Sequence, residues 1–237
     1  MVNKFLRRAS YALLPARCLH CGQASHRDLD LCRICETLLP WQQHSCQRCA
    51  LPLADEHATV CGQCLSKPPA FSRCIAPWRY AMPVDDLVSG FKYRRHLHCG
   101  RLLAELALPH LQAAYDGTPF PDCLVPMPLH WRRLLSRRFN QSHYLAVDWS
   151  RALNLPLTDC LQRVYPTAPQ QGQDKAARRR NVRNAFVPHR KAPPVADQCV
   201  ALVDDVVTTG ATADAAAHCL LQAGAREVHV WALARTP

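Results

Sequence analysis

The spacing of hydrophobic positions changes along the chain. Before residue 66 the apolar residues follow no regular period. After the linker SKPPAF, apolar residues recur at helical spacing in PVDDLVSGFKYRR, LHCGRLLAELALPHLQAAY and NQSHYLAVDWSRALN. This spacing predicts three helices, with Asn140 as the N-cap of the third. The change at the linker predicts a domain boundary near residues 66–72.

Short apolar runs between these helices predict strands. CIAPWRYA, DCLVPMP, DCLQRVY, CVALVDD and EVHVWALA have this character, and ATADAAAHCLLQA is a further predicted helix that ends before Gly224. Between them, TAPQQGQDKAARRRNVRN is polar and marked by Gly and Pro, which predicts a mobile loop that enters a short helix. The alternation predicts an α/β domain with a mostly parallel sheet over residues 73–237, preceded by a small module over residues 1–68.

Eight of the 14 cysteines give the small module its chemistry. They form four C-x-x-C pairs, and each pair can direct two thiolates at one ion, so that two pairs complete a tetrahedral site. The predicted ligands are Cys18, Cys21, Cys32, Cys35, Cys46, Cys49, Cys61 and Cys64. Because cysteine fills every position, we expect two structural Zn²⁺ sites in tandem ribbons, without which so small a module would scarcely fold.

Other interpretations of the cysteine pairs remain open. Sequential and interleaved pairing both satisfy the spacing. A disulfide framework requires an oxidising compartment, yet the N-terminal apolar patch is too short for an export signal, which favours a cytoplasmic location. An iron–sulfur cluster is less in keeping with regular paired knuckles. The other six cysteines are interpreted as small core residues.

Charge indicates an anionic ligand. The net charge is +11, and the segment from Pro126 to Lys191 holds 13 Arg and Lys against 3 Asp. Arginine makes bidentate contacts with phosphates and carboxylates, so a nucleotide, a pyrophosphate or a nucleic acid is the expected partner, although a solvated basic surface is the simpler alternative. No apolar run reaches the roughly 18–20 residues of a membrane span, so none is expected.

The stretch VALVDDVVTTGATAD combines a buried strand, two acids and a turn that opens a helix. Backbone N–H groups and threonine hydroxyls at a helix N-terminus favour a phosphate, and Gly210 permits close approach. Asp204 and Asp205 lie one short turn away and suit the vicinal hydroxyls of a ribose. The pattern therefore predicts a site for a ribose 5-phosphate at the carboxyl end of the strand.

This stretch resembles the phosphoribosyl-diphosphate (PRPP) loop of type I phosphoribosyltransferases, a hydrophobic strand followed by two acids, two apolar residues and T-T-G-x-T. The resemblance implies that Asp204 and Asp205 bind the ribose. It also implies PRPP with Mg²⁺ as the ligand. The residues expected at the 5-phosphate are Thr208, Thr209, Gly210, Ala211 and Thr212.

The order of segments resembles the ComF family, bacterial proteins linked to competence and to the use of external DNA, with the GntX type most similar. The resemblance covers nearly the whole chain. In VPMPLHWRRLLSRRFNQ it places residues 126–129 beside the pyrophosphate and assigns Arg133 and Arg137 to the site. In the loop before Phe186 it assigns Arg178 and Asn181 to a mobile hood, and it marks Lys92 in FKY.

Two positions depart from the ComF pattern. Arg138 stands where the family has the glycine before F-N-Q, which puts the local backbone conformation in question. Gln173 replaces the leucine of Q-x-x-L, which affects the packing of the hood.

Three functions follow as hypotheses. The first is a PRPP-dependent transferase with an unassigned acceptor; Arg and Mg²⁺ would stabilise the pyrophosphate leaving group. The second is a PRPP-binding regulator without turnover. The third is a protein that binds single-stranded DNA or another nucleic acid through its ribbons and arginines. Protein partners in a DNA-uptake machinery are a further expectation of the resemblance.

Overall fold

The computed structural model describes residues 16–165, 185–189 and 192–237. Within that part of the chain, no helix has both the length and the apolar character needed to cross a bilayer. The elements are α1 (Arg33–Thr37), α2 (Gly62–Ser66), β1 (Arg73–Ile75), β2 (Trp78–Arg79), α3 (Val84–Arg94), α4 (Leu97–Ala114), β3 (Cys123–Pro126), α5 (Trp131–Arg137), α6 (Gln141–Leu153), β4 (Leu161–Arg163), β5 (Phe186–Pro188), β6 (Cys199–Val203), β7 (Val206–Val207), α7 (Ala211–Gln222), β8 (Glu227–Trp231) and β9 (Ala234–Arg235).

A four-stranded parallel sheet with the order β1-β8-β6-β3 forms the centre of the fold. A three-stranded parallel sheet, β2-β9-β7, lies beyond the carboxyl ends of these strands, and β4 pairs with β5 in antiparallel orientation. The predicted mostly parallel sheet is confirmed. Because β3 and β6 run in parallel, with Pro126 opposite Val203, the segments that follow them meet at one edge of the sheet.

Helices cover both faces of the central sheet. Val200 and Leu202 of β6 belong to the core formed with α7. Ala201 and Val203, which point the other way, belong to the core formed with α3, α4 and α6. A strand buried on both faces reads as a continuous apolar run, which is why VALV was recognisable as a central strand.

The cysteine module packs closely on the α/β domain. The cysteines between residues 46 and 64 share a core with β6 and α7, whereas Cys18 and Cys35 share a core with α3 and α4. The linker is also held, because Phe71 is fully buried and the Ala70 N–H donates to Asp214 Oδ1 at 2.7 Å. The two predicted parts of the chain are therefore joined by apolar and polar contacts.

The structure divides two of the predicted strands. EVHVWALA forms β8 and β9, and CIAPWRYA forms β1 and β2, because each segment passes from the central sheet to the smaller one. At the crossing, the Leu233 and Ala234 N–H groups donate to the Asp205 carbonyl at 3.0 and 3.3 Å. Strands on both sides of such a crossing carry the same apolar pattern, so spacing alone did not separate them.

The short helix α5 was not predicted. It is seven residues long, so its three apolar residues, Trp131, Leu134 and Leu135, give a single helical turn of pattern, and none of them is buried. His130 caps its first turn, with Nδ1 accepting from the Arg132 N–H at 3.3 Å. Helix α6, by contrast, begins where expected, with the Asn140 side chain accepting from the Ser142 N–H at 3.1 Å.

The backbone conformation at Arg138 explains why the ComF pattern has a glycine before F-N-Q. Arg138 ends α5 with φ 61°, in the left-handed region that favours glycine. We expect Arg138→Gly to raise the free energy of unfolding by about 0.5–1 kcal/mol. Arg132→Gly in the body of α5 should lower it by about 1 kcal/mol. Urea unfolding checks both variants, and a destabilised Arg138→Gly protein would contradict the interpretation.

Candidate functional site

The two acids lie at the carboxyl end of β6, beside residues from α3 and α6. Asp204 Oδ1 accepts a hydrogen bond from Ser142 Oγ at 3.0 Å, and Asp205 Oδ2 lies 3.0 Å from Lys92 Nζ. Each carboxylate also accepts a neighbouring backbone N–H, from Asp205 at 2.9 Å and Val206 at 2.7 Å. Both side chains are thus fixed from two directions.

Burial controls the ionisation of this pair. The pKa of Asp204 is raised to about 7 in all, because burial and then the negative charge of Asp205 raise it by more than Lys92 lowers it. Burial lowers the pKa of Lys92, but the adjacent Asp205 outweighs it, so that the pKa of Lys92 is raised and the ammonium stays charged. The site therefore holds the charged Lys92 ammonium against Asp205, while the neighbouring Asp204 carboxyl has a pKa near neutrality.

The turn after β7 opens helix α7. Gly210 is its N-cap with φ 77°, and Thr208 and Thr209 are exposed. Thr209 Oγ1 accepts from the Ala211 N–H at 3.4 Å. Backbone N–H groups at the start of a 12-residue helix give a positive end that suits an anion. The turn begins three residues after the acid pair, as the ribose-phosphate interpretation requires.

The F-N-Q segment holds neighbouring parts of the site in place. Asn140 Nδ2 donates to the Met127 carbonyl at 3.0 Å, which fixes the loop after β3. Gln141 Nε2 donates to the Lys92 carbonyl at 3.3 Å, which fixes the end of α3. These residues therefore orient Lys92 and the loop of Pro126, Met127 and Pro128, which we call the PMP loop.

Of the three arginines assigned to the site, two lie on α5 and one lies outside the described residues. Arg133 and Arg137 lie on α5, which follows the loop after β3, and the Arg137 guanidinium stands over the Tyr93 ring at 5.1 Å. Arg178 and Asn181 lie outside the described residues, as does Gln173. Phe186, assigned to the same block, is buried in β5, with the Arg163 guanidinium 5.4 Å from its ring.

The surface formed by α5 and the end of α3 is basic and aromatic; we call it the α3–α5 face. Tyr93 is 69% exposed and Trp131 is 57% exposed. Each ring has an arginine over it, since Arg132 lies 5.2 Å from the Trp131 ring and Arg137 lies over Tyr93. Exposed arginines continue it at Arg94, Arg95, Arg133 and Arg138. Exposed rings beside arginines are the arrangement on which nucleobases stack.

The eight predicted cysteine ligands form two separate groups. Cluster I comprises Cys18, Cys21, Cys32 and Cys35, and cluster II comprises Cys46, Cys49, Cys61 and Cys64. The pairing is sequential, which settles the question that spacing left open. Cys21 and Cys32 sulfurs are 3.9 Å apart, and those of Cys49 and Cys61 are 3.7 Å apart. A tetrahedral zinc with Zn–S bonds of about 2.3 Å places its sulfurs about 3.8 Å apart, so both groups fit the ion.

Backbone N–H groups favour the thiolate of one cysteine in each cluster, Cys18 in cluster I and Cys46 in cluster II. Burial opposes ionisation of Cys46, but N–H groups of Cys61, Cys49 and Arg48 outweigh it and lower the pKa of Cys46 to about 7. Burial and the neighbouring thiols raise the pKa of Cys64 above its usual range. A full set of four thiolates therefore needs a bound cation.

Comparisons with known proteins agree with this geometry. Residues 9–65 match the family described as "Double zinc ribbon domain", and residues 140–237 match "Phosphoribosyl transferase domain". The chain is 36% identical over 209 residues to "DNA utilization protein YhgH" of Escherichia coli strain K12, covering 87% of this chain and 90% of the relative. It is 32% identical over 223 residues to "Competence protein F" of Haemophilus influenzae, covering 92% and 96%. The chain belongs to the ComF family.

The structural comparison is more distant. The purine phosphoribosyltransferase from Pyrococcus horikoshii superposes with a TM-score of 0.37 and 16% identity, over 56% of this chain and 83% of that one. The ComF assignment therefore rests on the sequence relatives and on the two matched domains. These are a double zinc ribbon with two groups of four cysteines and, after it in the chain, a phosphoribosyltransferase domain.

Two residues near the acid pair of this ComF-family chain were not singled out from the sequence. Ser142 bonds to Asp204, and its position directly after the F-N-Q segment was a usable signal. Arg163 of β4 is buried; desolvation lowers its pKa, nearby Arg133 lowers it further, and Asp204 raises it. No sequence signal marked Arg163, because β4 is brought towards the site only by the fold.

Proposed function

We propose that this ComF-family chain binds PRPP with Mg²⁺ at the carboxyl edge of the central sheet and transfers its phosphoribosyl group. One observation carries the proposal: the Asp204–Asp205 pair, with Lys92 Nζ 3.0 Å from Asp205 Oδ2, precedes by two residues the T-T-G-A-T turn at the start of α7. The carboxylates can accept from ribose hydroxyls, and the N–H groups at the start of α7 can bind the phosphate of the same ligand.

Each part of the site then has a chemical role. The ribose hydroxyls donate to Asp204 and Asp205, while the N–H groups and hydroxyls from Thr208 to Thr212 bind the 5-phosphate. Breaking the bond between C1 and pyrophosphate develops positive charge on the sugar and negative charge on the leaving group. The negative charge of the acid pair stabilises the positive charge on the sugar. Arg133 and Arg137, on the helix that follows the PMP loop, stabilise the negative charge on the pyrophosphate. Mg²⁺, when bound, supplies further positive charge at the pyrophosphate.

The family relation suggests the setting. Relatives are named for DNA utilization and for competence, so we propose that the chain works on a product of imported DNA, in the cytoplasm and beside proteins of DNA uptake. The thiol clusters support this location, because thiol ligands remain reduced there.

A second candidate function is single-strand binding, favoured by the α3–α5 face. This face adjoins the acid pair through α3, since Tyr93, under Arg137, directly follows Lys92, which lies 3.0 Å from Asp205. A nucleic-acid strand on this face would bring its end or a base towards the acid pair, which joins the two functions rather than opposing them.

The deciding experiment is a screen for pyrophosphate release. The protein with PRPP and Mg²⁺ is incubated with nucleobases, nucleosides, nucleotides and single-stranded DNA in turn. Transfer predicts release with at least one acceptor class and none with Asp204→Asn/Asp205→Asn. Tight binding of PRPP without release in any mixture would favour a regulator. Salt-sensitive DNA binding that needs Trp131 but neither acid would favour the second candidate.

The ionisation of Asp204 gives a pH prediction. The carboxylate is the form that accepts from ribose hydroxyls, and its pKa is raised to about 7 by burial. We expect the affinity for PRPP with Mg²⁺ to fall about tenfold between pH 8 and pH 6, as Asp204 takes up a proton. PRPP itself titrates, so Asp204→Asn is measured in parallel by calorimetry. An equal pH slope in both proteins would contradict the assignment.

A further inference from the structure

Arg235 is a buried arginine that lies between cluster II and the phosphate-binding turn. It is 5% exposed, in the last strand, β9. Its Nε donates to the Cys49 carbonyl at 3.0 Å, and its Nη1 donates to the Thr208 carbonyl. One side chain therefore contacts the backbone of a metal ligand and the backbone of the turn.

The charge of Arg235 points to the metal cluster. A guanidinium stays protonated in proteins, and its burial is costly unless opposite charge lies nearby. Within the described residues, the hydrogen-bond acceptors of Arg235 are main-chain carbonyls: Cys49, Val207, Thr208 and Thr236. Four thiolates around one divalent ion carry a formal charge of about −2, and Cys49 belongs to that group. Cluster II is thus a natural counter-charge for Arg235.

Further contacts connect the same two regions. A cleft of about 130 Å³ is lined by Cys49 and Cys64 of cluster II and by Thr209 and Gly210 of the turn. The linker that follows cluster II is bound to α7, because the Ala70 N–H donates to the Asp214 carboxylate. No corresponding contact is found in the described residues between cluster I, which packs with α3 and α4, and the turn.

We propose that Arg235 is a positioning residue that couples the metal of cluster II to the phosphate-binding turn. With zinc bound, cluster II fixes the Cys49 carbonyl and balances the guanidinium, and Arg235 then fixes the carbonyl of Thr208. Loss of this metal releases the turn and weakens binding of a ribose 5-phosphate group. The ligand part rests on the proposed function, whereas the coupling between metal and turn does not.

The test uses the full-length zinc-loaded protein and two readouts. Amide hydrogen exchange is followed over residues 204–214, and affinity is measured by calorimetry with ribose 5-phosphate and with PRPP plus Mg²⁺. The variants are Arg235→Met, which removes the charge and donors, and Arg235→Lys, which keeps the charge. Arg226→Met is the matched control, since Arg226 is an exposed arginine at the amino end of β8.

We expect Arg235→Met to speed exchange of the turn at least about tenfold and to weaken ribose 5-phosphate binding by a similar factor, with Arg226→Met unchanged. Arg235→Lys should retain the cluster II metal and show an intermediate effect. Wild-type exchange rates in an Arg235→Met protein that retains two zinc ions would overturn the coupling, and so would an equal effect of Arg226→Met. If the wild type binds neither ligand while Arg235→Met still loosens the turn, the coupling stands and the PRPP proposal fails.

If Arg235→Met does not fold, the test uses Arg235→Lys together with stepwise removal of zinc from the wild type. A chelator titrated into the wild type removes the zinc ions in steps, and release of each zinc is compared with exchange of the turn. The coupling predicts that exchange of the turn speeds up with loss of the cluster II zinc, before exchange of the central strands β3 and β8 does, and that it does not respond to loss of the cluster I zinc. Loosening that follows cluster I instead would overturn it.

Discussion

Asp204→Asn/Asp205→Asn is expected to weaken PRPP binding in the presence of Mg²⁺ by at least about a hundredfold. Both carboxylates accept hydrogen bonds as charged groups, and each such bond contributes about 1.5–3 kcal/mol. Their combined loss, about 3 kcal/mol or more, corresponds to about two orders of magnitude in affinity. Calorimetry with purified protein measures it directly.

The control variant removes the same number of negative charges from positions outside the site. Asp116→Asn/Asp197→Asn neutralises two exposed carboxylates outside the site and should bind PRPP within about twofold of the wild type. Equal affinities for the wild type and the Asp204/Asp205 double variant would remove the proposed site. A parallel loss in both double variants would show that net charge, rather than these two acids, governs binding.

The single variant Asp204→Asn separates folding from binding. Asp204 has a folded-state pKa raised above its unfolded value, so its ionisation costs stability as pH rises from about 4, and the full cost is present above about 7. Asp204→Asn removes this cost and leaves the Asp205–Lys92 pair intact. We therefore expect the variant to be at least as stable as the wild type at pH 8 while binding PRPP less tightly. This opposition is typical of a site held in a strained charge state for its ligand.

Sequence patterns located those parts of the fold in which local chemistry and position coincide. The run VALVDD marked both a strand buried on two faces and the acids that follow it, and the C-x-x-C pairs marked both clusters. The partners of the acids were harder to find. Lys92 was visible only through a resemblance, and Arg163 had no signal, because each reaches the site from a distant element.

The connection between the ribbons and the turn shows the same limit. Arg235 is one of many arginines in a basic chain, in a short strand near the C-terminus. Its role follows only from parallel pairing of β7 with β9, which aligns Val207 with Arg235, and from the packing of cluster II on the same core. Tertiary pairing of this kind leaves no period or motif in the sequence.

Two zinc ions per chain, lost in order, are the second large expected effect. Cluster I is the more accessible, since Cys21 is exposed and Cys32 half-buried, whereas all four cysteines of cluster II are buried. A chelator should therefore remove zinc from cluster I first. Loss from cluster II should require more chelator and should lower the thermal stability of the domain, because its cysteines share a core with β6 and α7. Structural zinc contributes an apparent binding free energy of about 10 kcal/mol or more, so this step should be strongly destabilising.

Matched serine variants assign the two steps to the clusters. Cys21→Ser should lower the zinc content to about one per chain, while the sheet keeps a cooperative thermal transition followed by circular dichroism. Cys64→Ser should lose that transition or shift it down far more, because the buried Cys64 lies against the core that contains Val200 and Leu202. A wild type with one zinc, or two variants with equal stability, would contradict this order. This difference in stability would agree with the proposed role of cluster II in holding the turn before α7. Cluster I, by contrast, packs against α3 and α4.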